Sequence, residues 1–324
     1  MSFSRYNPED SVISSETVVR GLWSGDNNTL STLYTSSYTE YYLDVYKDAS
    51  STVQFSIQYG HLYGSGSNVI NSAVTNTSGA ITPSRVVYGE YRNLVYGTET
   101  TPFSFNSAQT ASGIFIINIA RNRYKESLLP GSLSLTLSGS SGNIKLIDDS
   151  NTTSLTRFIG ENRVNYLLSS GSTSPYYGMV FPDLNIIVLN ATSGTSGSLT
   201  GYIPTLSSGT SGISGSNINV TKLYASIDTG KGLSPFTLQS SETVSSRYFF
   251  TRVKNSEFNY TTNPSVIDDN GNLLYTSLIN NPQTYVTTVG MYNDNNELLA
   301  VAKLSKPLTK DFTKEALIRI KLDY

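Results

Sequence analysis

The sequence predicts a mainly β protein, with antiparallel sheets in a sandwich-like arrangement and one or two short helices. Three observations predict it. Tyrosine, serine and glycine are abundant, at 23, 50 and 25 residues. Tyr suits pleated, half-buried surfaces, while Ser and Gly suit the turns between them. Several segments alternate apolar and polar residues with period two. Gly, Pro, Asn and Asp punctuate the chain between those segments, and only one stretch is strongly helical in its spacing.

Residues 1–37 read as an N-terminal arm. Within it ETVVRGLWSGD (16–26) fits a strand or a short helical turn, and Trp23, the single tryptophan, reads as a packing anchor. Residues 38–190 read as a β-rich domain. YYLDVY (41–46) and STVQFSIQYG (51–60) predict a hairpin, because Val53, Phe55, Ile57 and Tyr59 alternate with Thr52, Gln54, Ser56 and Gln58. SRVVYGEYRNLVYG (84–97) predicts a helix with Val87, Tyr91 and Leu94 on one face and Gly97 as its stop. GIFIINIAR (113–121) is apolar on both faces, the signature of a strand covered on both sides. After a break at Pro130-Gly131, Leu133, Leu135 and Leu137 line a strand whose hairpin partner is IKLIDDSN (144–151). PDLNIIVLN (182–190) is a second short two-sided strand, preceded by the turn-rich aromatic stretch SPYYGMVFP (174–182).

Residues 191–217 form a Ser/Gly-rich loop or linker. Residues 218–324 read as a second β-rich region, continuous with the first sheet system. SRYFFTRVKN (246–255) predicts a strand, and SVIDDNGNLLYTSL (265–278) a hairpin turning at Asn270-Gly271. TTVGMYNDNNELLAVAKLSKPL (287–308) predicts another, with Asn293–Asn296 as its turn and Pro307 as the end of its second strand. In that strand Leu298, Ala300, Ala302 and Leu304 share one face, and Leu299 and Val301 the other. EALIRIKLDY (315–324) closes with Ala316, Ile318, Ile320 and Leu322 inward.

Composition narrows the function. Zero cysteines exclude disulfides and thiolate chemistry, and charged residues make up only 14%, with a net charge of −2. That balance argues against nucleic acid as a partner. No apolar run approaches the roughly 20 residues of a membrane span, and the opening residues lack a signal-peptide core, so the reading is a soluble protein made in the cytoplasm with no membrane partner.

Chemical motifs are absent. His61 is the only histidine, so a Ser-His-Asp triad or a nitrogen-ligated metal centre has one candidate residue, and it sits in the turn-like context QYGHLYGSGSN. The loops Asp268–Asn272 and Asn293–Glu297 are rich in oxygen but match no EF-hand spacing, and Asp and Asn are what tight turns need. Paired carboxylates of a polysaccharide hydrolase have no supporting pattern, since the acids fall mainly at turns. The expectation is a non-enzymatic protein with no catalytic, cofactor or metal residues.

The segments SSETVSSRYFFTRVKNSEFNYTTNPS and YVTTVGMYNDNNELLAVAKLSKPLTKDFTKEALIRIKLDY, together with ARNRYKESLLPGSLSLTLSG (120–139) and IKLIDDS, resemble structural virion proteins of contractile-tailed, T4-like bacteriophages, including cyanophages. Val-Gly-Met-Tyr, an Asn/Asp turn and Leu-Leu-Ala-Val-Ala-Lys are most similar to tail and baseplate components. The resemblance implies a multi-copy building block of the virion, made in the host cytoplasm, whose partners are copies of itself and neighbouring virion proteins. The expected assembly interface comprises Leu299, Val301, Met291, Phe115 and Ile117, the apolar residues of two-sided strands. The alternative is a receptor-binding module that reads a host glycan through tyrosines, with Tyr176 and Tyr177 as the contact residues.

Overall fold

The computed structural model describes residues 5–35, 38–49, 52–67, 82–106, 109–139, 142–153, 155–192, 196–199, 219–227, 235–261 and 263–324. Its strands are β1 (Ser11–Gly21), β2 (Thr29–Leu30), β3 (Tyr42–Tyr46), β4 (Val53–His61), β5 (Phe103–Asn106), β6 (Gln109–Ala111), β7 (Gly113–Ile119), β8 (Ser127–Leu128), β9 (Ser134–Gly139) and β10 (Gly142–Asp148). They continue as β11 (Arg157–Ile159), β12 (Asn162–Ser169), β13 (Tyr176–Phe181), β14 (Ile186–Asn190), β15 (Phe236–Thr237), β16 (Gln239–Val253), β17 (Thr284–Tyr292), β18 (Leu298–Lys310) and β19 (Ala316–Asp323). The helices are α1 (Pro83–Tyr96), α2 (Asn219–Ser226) and α3 (Thr276–Asn280). The protein is mainly β and antiparallel, as expected.

The chain divides into two compact units, one of Thr17–Glu242 and one of Met1–Glu16 with Thr243–Tyr324. The division falls inside β16 rather than at the Ser/Gly segment, most of which lies outside the described residues. β1 pairs with β16, a partner from the far end of the chain that no local signal announces.

In the larger unit the strands run β2-β15-β9-β10-β12-β13-β14-β7-β4-β3, with β11 beside β12. Apolar side chains cover both faces. Phe55, Ile57, Phe115, Ile117, Ile187 and Leu189 meet α2 residues Val220 and Leu223 in one cluster. Ile114, Ile116, Ile186, Val188, Met179 and Phe181 meet Val87, Tyr88, Tyr91 and Val95 of α1 in the other. This double cover explains why β7 and β14 carry no polar alternation. SPYYGMVFP, read as turn-rich, contains strand β13, because its residues Tyr176–Phe181 bridge β12 and β14.

Local chemistry sets α1. Thr82 Oγ1 accepts from the Arg85 amide, Pro83 occupies the first turn, and Gly97 at φ 66° donates to Asn93 O at 2.8 Å. Val87 and Tyr91 face the core as expected, but Leu94 is exposed and Val95 takes its place. Gly60 of β4 lets the helix approach, since a Cβ there would lie 2.9 Å from the Tyr88 amide nitrogen. Tyr88 Oη donates to Ala111 O at 2.7 Å and accepts from Phe103 N at 2.9 Å, tying the β5–β6 hairpin to the helix.

The β3–β4 hairpin forms, but β4 is buried on both faces. Gln54 is enclosed because its amide is fully used, accepting from Ser24 N and donating to Ser24 Oγ and Thr52 O. Trp23 packs at 4.8 Å from the Phe236 ring and 5.9 Å from Phe55, as an anchor should. The Pro130-Gly131 break is held by buried Asp148, whose carboxylate accepts from the amides of Gly131, Leu133 and Ser150.

In the smaller unit β16 residues 246–253 pair with β19, and β17 pairs with β18. The predicted hairpin at 265–278 reduces to one bridge, Ile267–Leu273, followed by α3. Asp268 is the reason the turn stays tight: its carboxylate accepts from the Asn270 and Asn272 amides at 2.9 and 2.7 Å. Among the described residues no helix is long and apolar enough to cross a membrane.

Candidate assembly surface

The β17–β18 hairpin is built from its turn outward. Asn293 Oδ1 accepts from the amides of Asn295 and Glu297 at 3.0 and 2.8 Å, and Asn293 Nδ2 donates to Glu297 at 2.6 Å. Asn296 adopts φ 61°, a left-handed conformation that Asn tolerates. Asn293 thus spends both ends of its side-chain amide on closing the turn.

Strand alternation then gives the hairpin two unlike faces. Val286, Val289, Met291, Ala302, Leu304 and Leu308 pack on a small core of Phe249, Val253, Ile318 and Ile320. On the outer face the register sets Gly290 opposite Val301 and Tyr292 opposite Leu298, with a shift between Met291 and Tyr292 that leaves Leu299 as an extra residue. That bulge moves Leu298 from the inner face, where alternation alone places it, to the outer one. Gly290 makes room there: a Cβ would come within 2.9 Å of the Tyr292 ring and 3.3 Å of Leu298 Cδ1.

The result is an outer patch of Tyr292, Leu298, Leu299 and Val301, the last three 53%, 66% and 59% exposed. Exposed Lys303 and Lys306 follow it along the strand. Pro307 does not stop β18, which runs on to Lys310. Between the pairs Thr288–Lys303 and Val286–Leu308 the ladder is irregular, so the missing Pro307 N–H is not needed.

The other expected interface residues are placed differently. Phe115 and Ile117 are fully buried within their own unit, because α2 and neighbouring strands cover that face of β7. They are removed from the interface. Met291 is half-buried and faces the unit's own core rather than the outside. Only Leu299 and Val301 of the original set meet on the exposed face.

Tyr176 and Tyr177 do not form a joint platform, since alternation sends them to opposite sides of the sheet. Tyr177 packs against the cluster containing Phe115, and Tyr176 against the one containing Phe181. Tyr176 lies 4.6 Å from the Tyr166 ring, and the Arg157 guanidinium sits 5.2 Å over Tyr166. Buried Asp149 holds Arg157 by an ion pair and accepts from the Tyr166 amide at 2.8 Å.

His61 ends β4, and its Nδ1 accepts from the amides of Tyr63 and Ser65 at 3.2 Å each. Burial lowers its pKa to about 4, so the ring is neutral and serves as a turn cap. Among the described residues no three His, Cys, Asp or Glu side chains converge as metal ligands.

The smaller unit has a thin core. Among the described residues its four buried apolar side chains each keep 6–8% exposure, whereas the sheet core of the larger unit reaches 0% at many positions. Compared with known proteins, the chain matches no family model, no curated protein and no solved structure.

Proposed function

We propose that this protein is a non-enzymatic structural subunit of a bacteriophage virion, in the tail or baseplate, and that it docks onto copies of itself and neighbouring virion proteins through the outer face of β17–β18. The observation that carries this reading is the apolar patch of Tyr292, Leu298, Leu299 and Val301 on a hairpin whose inner face already serves its own core. A free hairpin gains nothing from leucine and valine on its solvent side, whereas an interface core gains from each. The thin core beneath it supports the same reading, because a unit that buries little apolar area alone is stabilised by a partner that covers more. The resemblance to tail and baseplate proteins supplies the particle.

The test is quantitative mass spectrometry of gradient-purified particles, measuring this chain against the major tail protein. A fixed ratio corresponding to several copies per particle is expected. Absence from the particle, with the protein left in the lysate supernatant, sinks the reading.

A further inference from the structure

A pocket of about 410 Å³ opens on the larger unit where β3, β4 and β7 lie side by side. Its floor is a polar row. In register, Asp44 of β3 is opposite Ser56 of β4, and Ser56 is opposite Asn118 of β7, so the three side chains line up on one face across three strands. Everywhere else β7 is apolar, which makes Asn118 the one amide in a run of isoleucines and phenylalanine. Polar side chains on a largely covered sheet cost free energy unless something bonds them. Among the described residues Asn118 has only a long contact, 3.5 Å from Nδ2 to Tyr91 Oη.

The walls are aromatic. Tyr42, two residues from Asp44 on the same face, is 36% exposed and donates to Asp44 Oδ1 at 2.6 Å. Opposite, Arg121 lies 4.9 Å over the Tyr124 ring while its Nη1 donates to Tyr124 O at 3.0 Å. Neither Asp44 nor Arg121 takes part in an ion pair among the described residues.

The chemistry selects among ligands. A lone carboxylate on the floor repels anions, and one arginine already bonded to a carbonyl does not offset it. A single carboxylate is too few for a cation. A polar floor wastes the contact of an apolar ligand. What remains is a neutral molecule whose hydroxyls both donate and accept, and which has a C–H face to set against a tyrosine ring. We infer that this pocket binds a neutral hexopyranose unit, with Asp44, Ser56 and Asn118 bonding its hydroxyls and Tyr42 receiving its face. The volume is at the small-ligand end of such sites, and strands rather than loops carry the floor. This inference is independent of the assembly reading.

The experiment is an amide-resolved NMR titration of the full chain with methyl glucoside, galactoside and mannoside and with N-acetylglucosamine, then with neutral oligosaccharides of the same units. At least one pyranose is expected to shift the amides of Asp44, Ser56 and Asn118 while those of Tyr166 and Tyr176 stay still. A response to free glycoside marks a monosaccharide site, and a response to oligosaccharide alone marks a subsite for a longer glycan; both support the inference. Tyr42→Ala and Asp44→Asn, each checked for an unchanged melting temperature, are expected to weaken binding at least 10-fold, and Arg121→Ala about 3-fold. No shift with any sugar overturns the inference. So does binding of undiminished strength in both Tyr42→Ala and Asp44→Asn, or stronger binding of inorganic phosphate.

Discussion

Replacing Leu299 with Ser and Val301 with Thr separates assembly from folding. The two side chains keep 66% and 59% of their surface exposed. Burying a whole Leu or Val is worth roughly 1.5–3 kcal/mol, so covering the exposed part contributes about 1–2 kcal/mol each. In a two-fold contact every residue counts twice, giving about 4–8 kcal/mol from the four side chains. Ser and Thr retain part of the carbon surface, and the double variant therefore loses about 3 kcal/mol, a weakening of self-association of roughly 100-fold. Sedimentation velocity over about 1–200 μM measures this for wild type and variant. Urea unfolding of the variant is expected within about 0.5 kcal/mol of wild type, because neither residue contacts the core closely. A dissociation constant unchanged within about threefold refutes the reasoning, as does a wild type that stays monomeric throughout.

Three further expectations concern the scaffold. The single histidine gives one resolved ring resonance, and its NMR titration is expected near pH 4 rather than 6.5. Because the folded pKa lies below the unfolded one, the stability it contributes is full above pH 6.5 and is lost as pH falls toward 4, by about 3 kcal/mol at most; a midpoint near 6.5 rules this out. Gly60→Ala drives a Cβ against the α1 backbone and is expected to lower unfolding free energy by about 2–3 kcal/mol, read from the urea midpoint; no change means that α1 does not pack there. Lys310→Met removes a buried ammonium that donates to Asn255 O, Asn259 Oδ1 and Asp311 O at 3.0, 2.7 and 2.9 Å. Asn255 is exposed and takes water instead, but Asn259 and Asp311 are buried, so two acceptors stay dry. Relief of the charge's desolvation offsets part of this, and a loss of about 2–3 kcal/mol is expected. A higher urea midpoint shows that desolvation outweighs the bonds.

Elements governed by neighbours in sequence were legible. Val87, Tyr91 and Gly97 lie within or beside α1, and β9 pairs with β10, its neighbour in sequence, so local spacing predicts both. The two-sidedness of 113–119 and 186–190 correctly signals cover on both faces. It does not say whose atoms provide the cover, which is why Phe115 and Ile117 look like interface residues until α2 and β14 are placed beside them. Leu298 shows a different limit, since one bulged residue reverses the face of its neighbour and alternation has no marker for it. The Asp44–Ser56–Asn118 row is the extreme case. Its members come from three separated strands, and each looks like an ordinary polar residue until the order β7-β4-β3 sets them in line.

The composition of the smaller unit governs when the outer face of the hairpin can exist. β1 precedes nearly all of Thr17–Glu242 in the chain, whereas its partner β16 ends beyond it and the remainder of the smaller unit, Thr243–Tyr324, is translated after it. A long-range pairing of this kind waits on the far partner. The larger unit is free to fold during that delay, while β17 and β18 are still untranslated. The apolar outer face of β17–β18 therefore forms only after the larger unit has been translated.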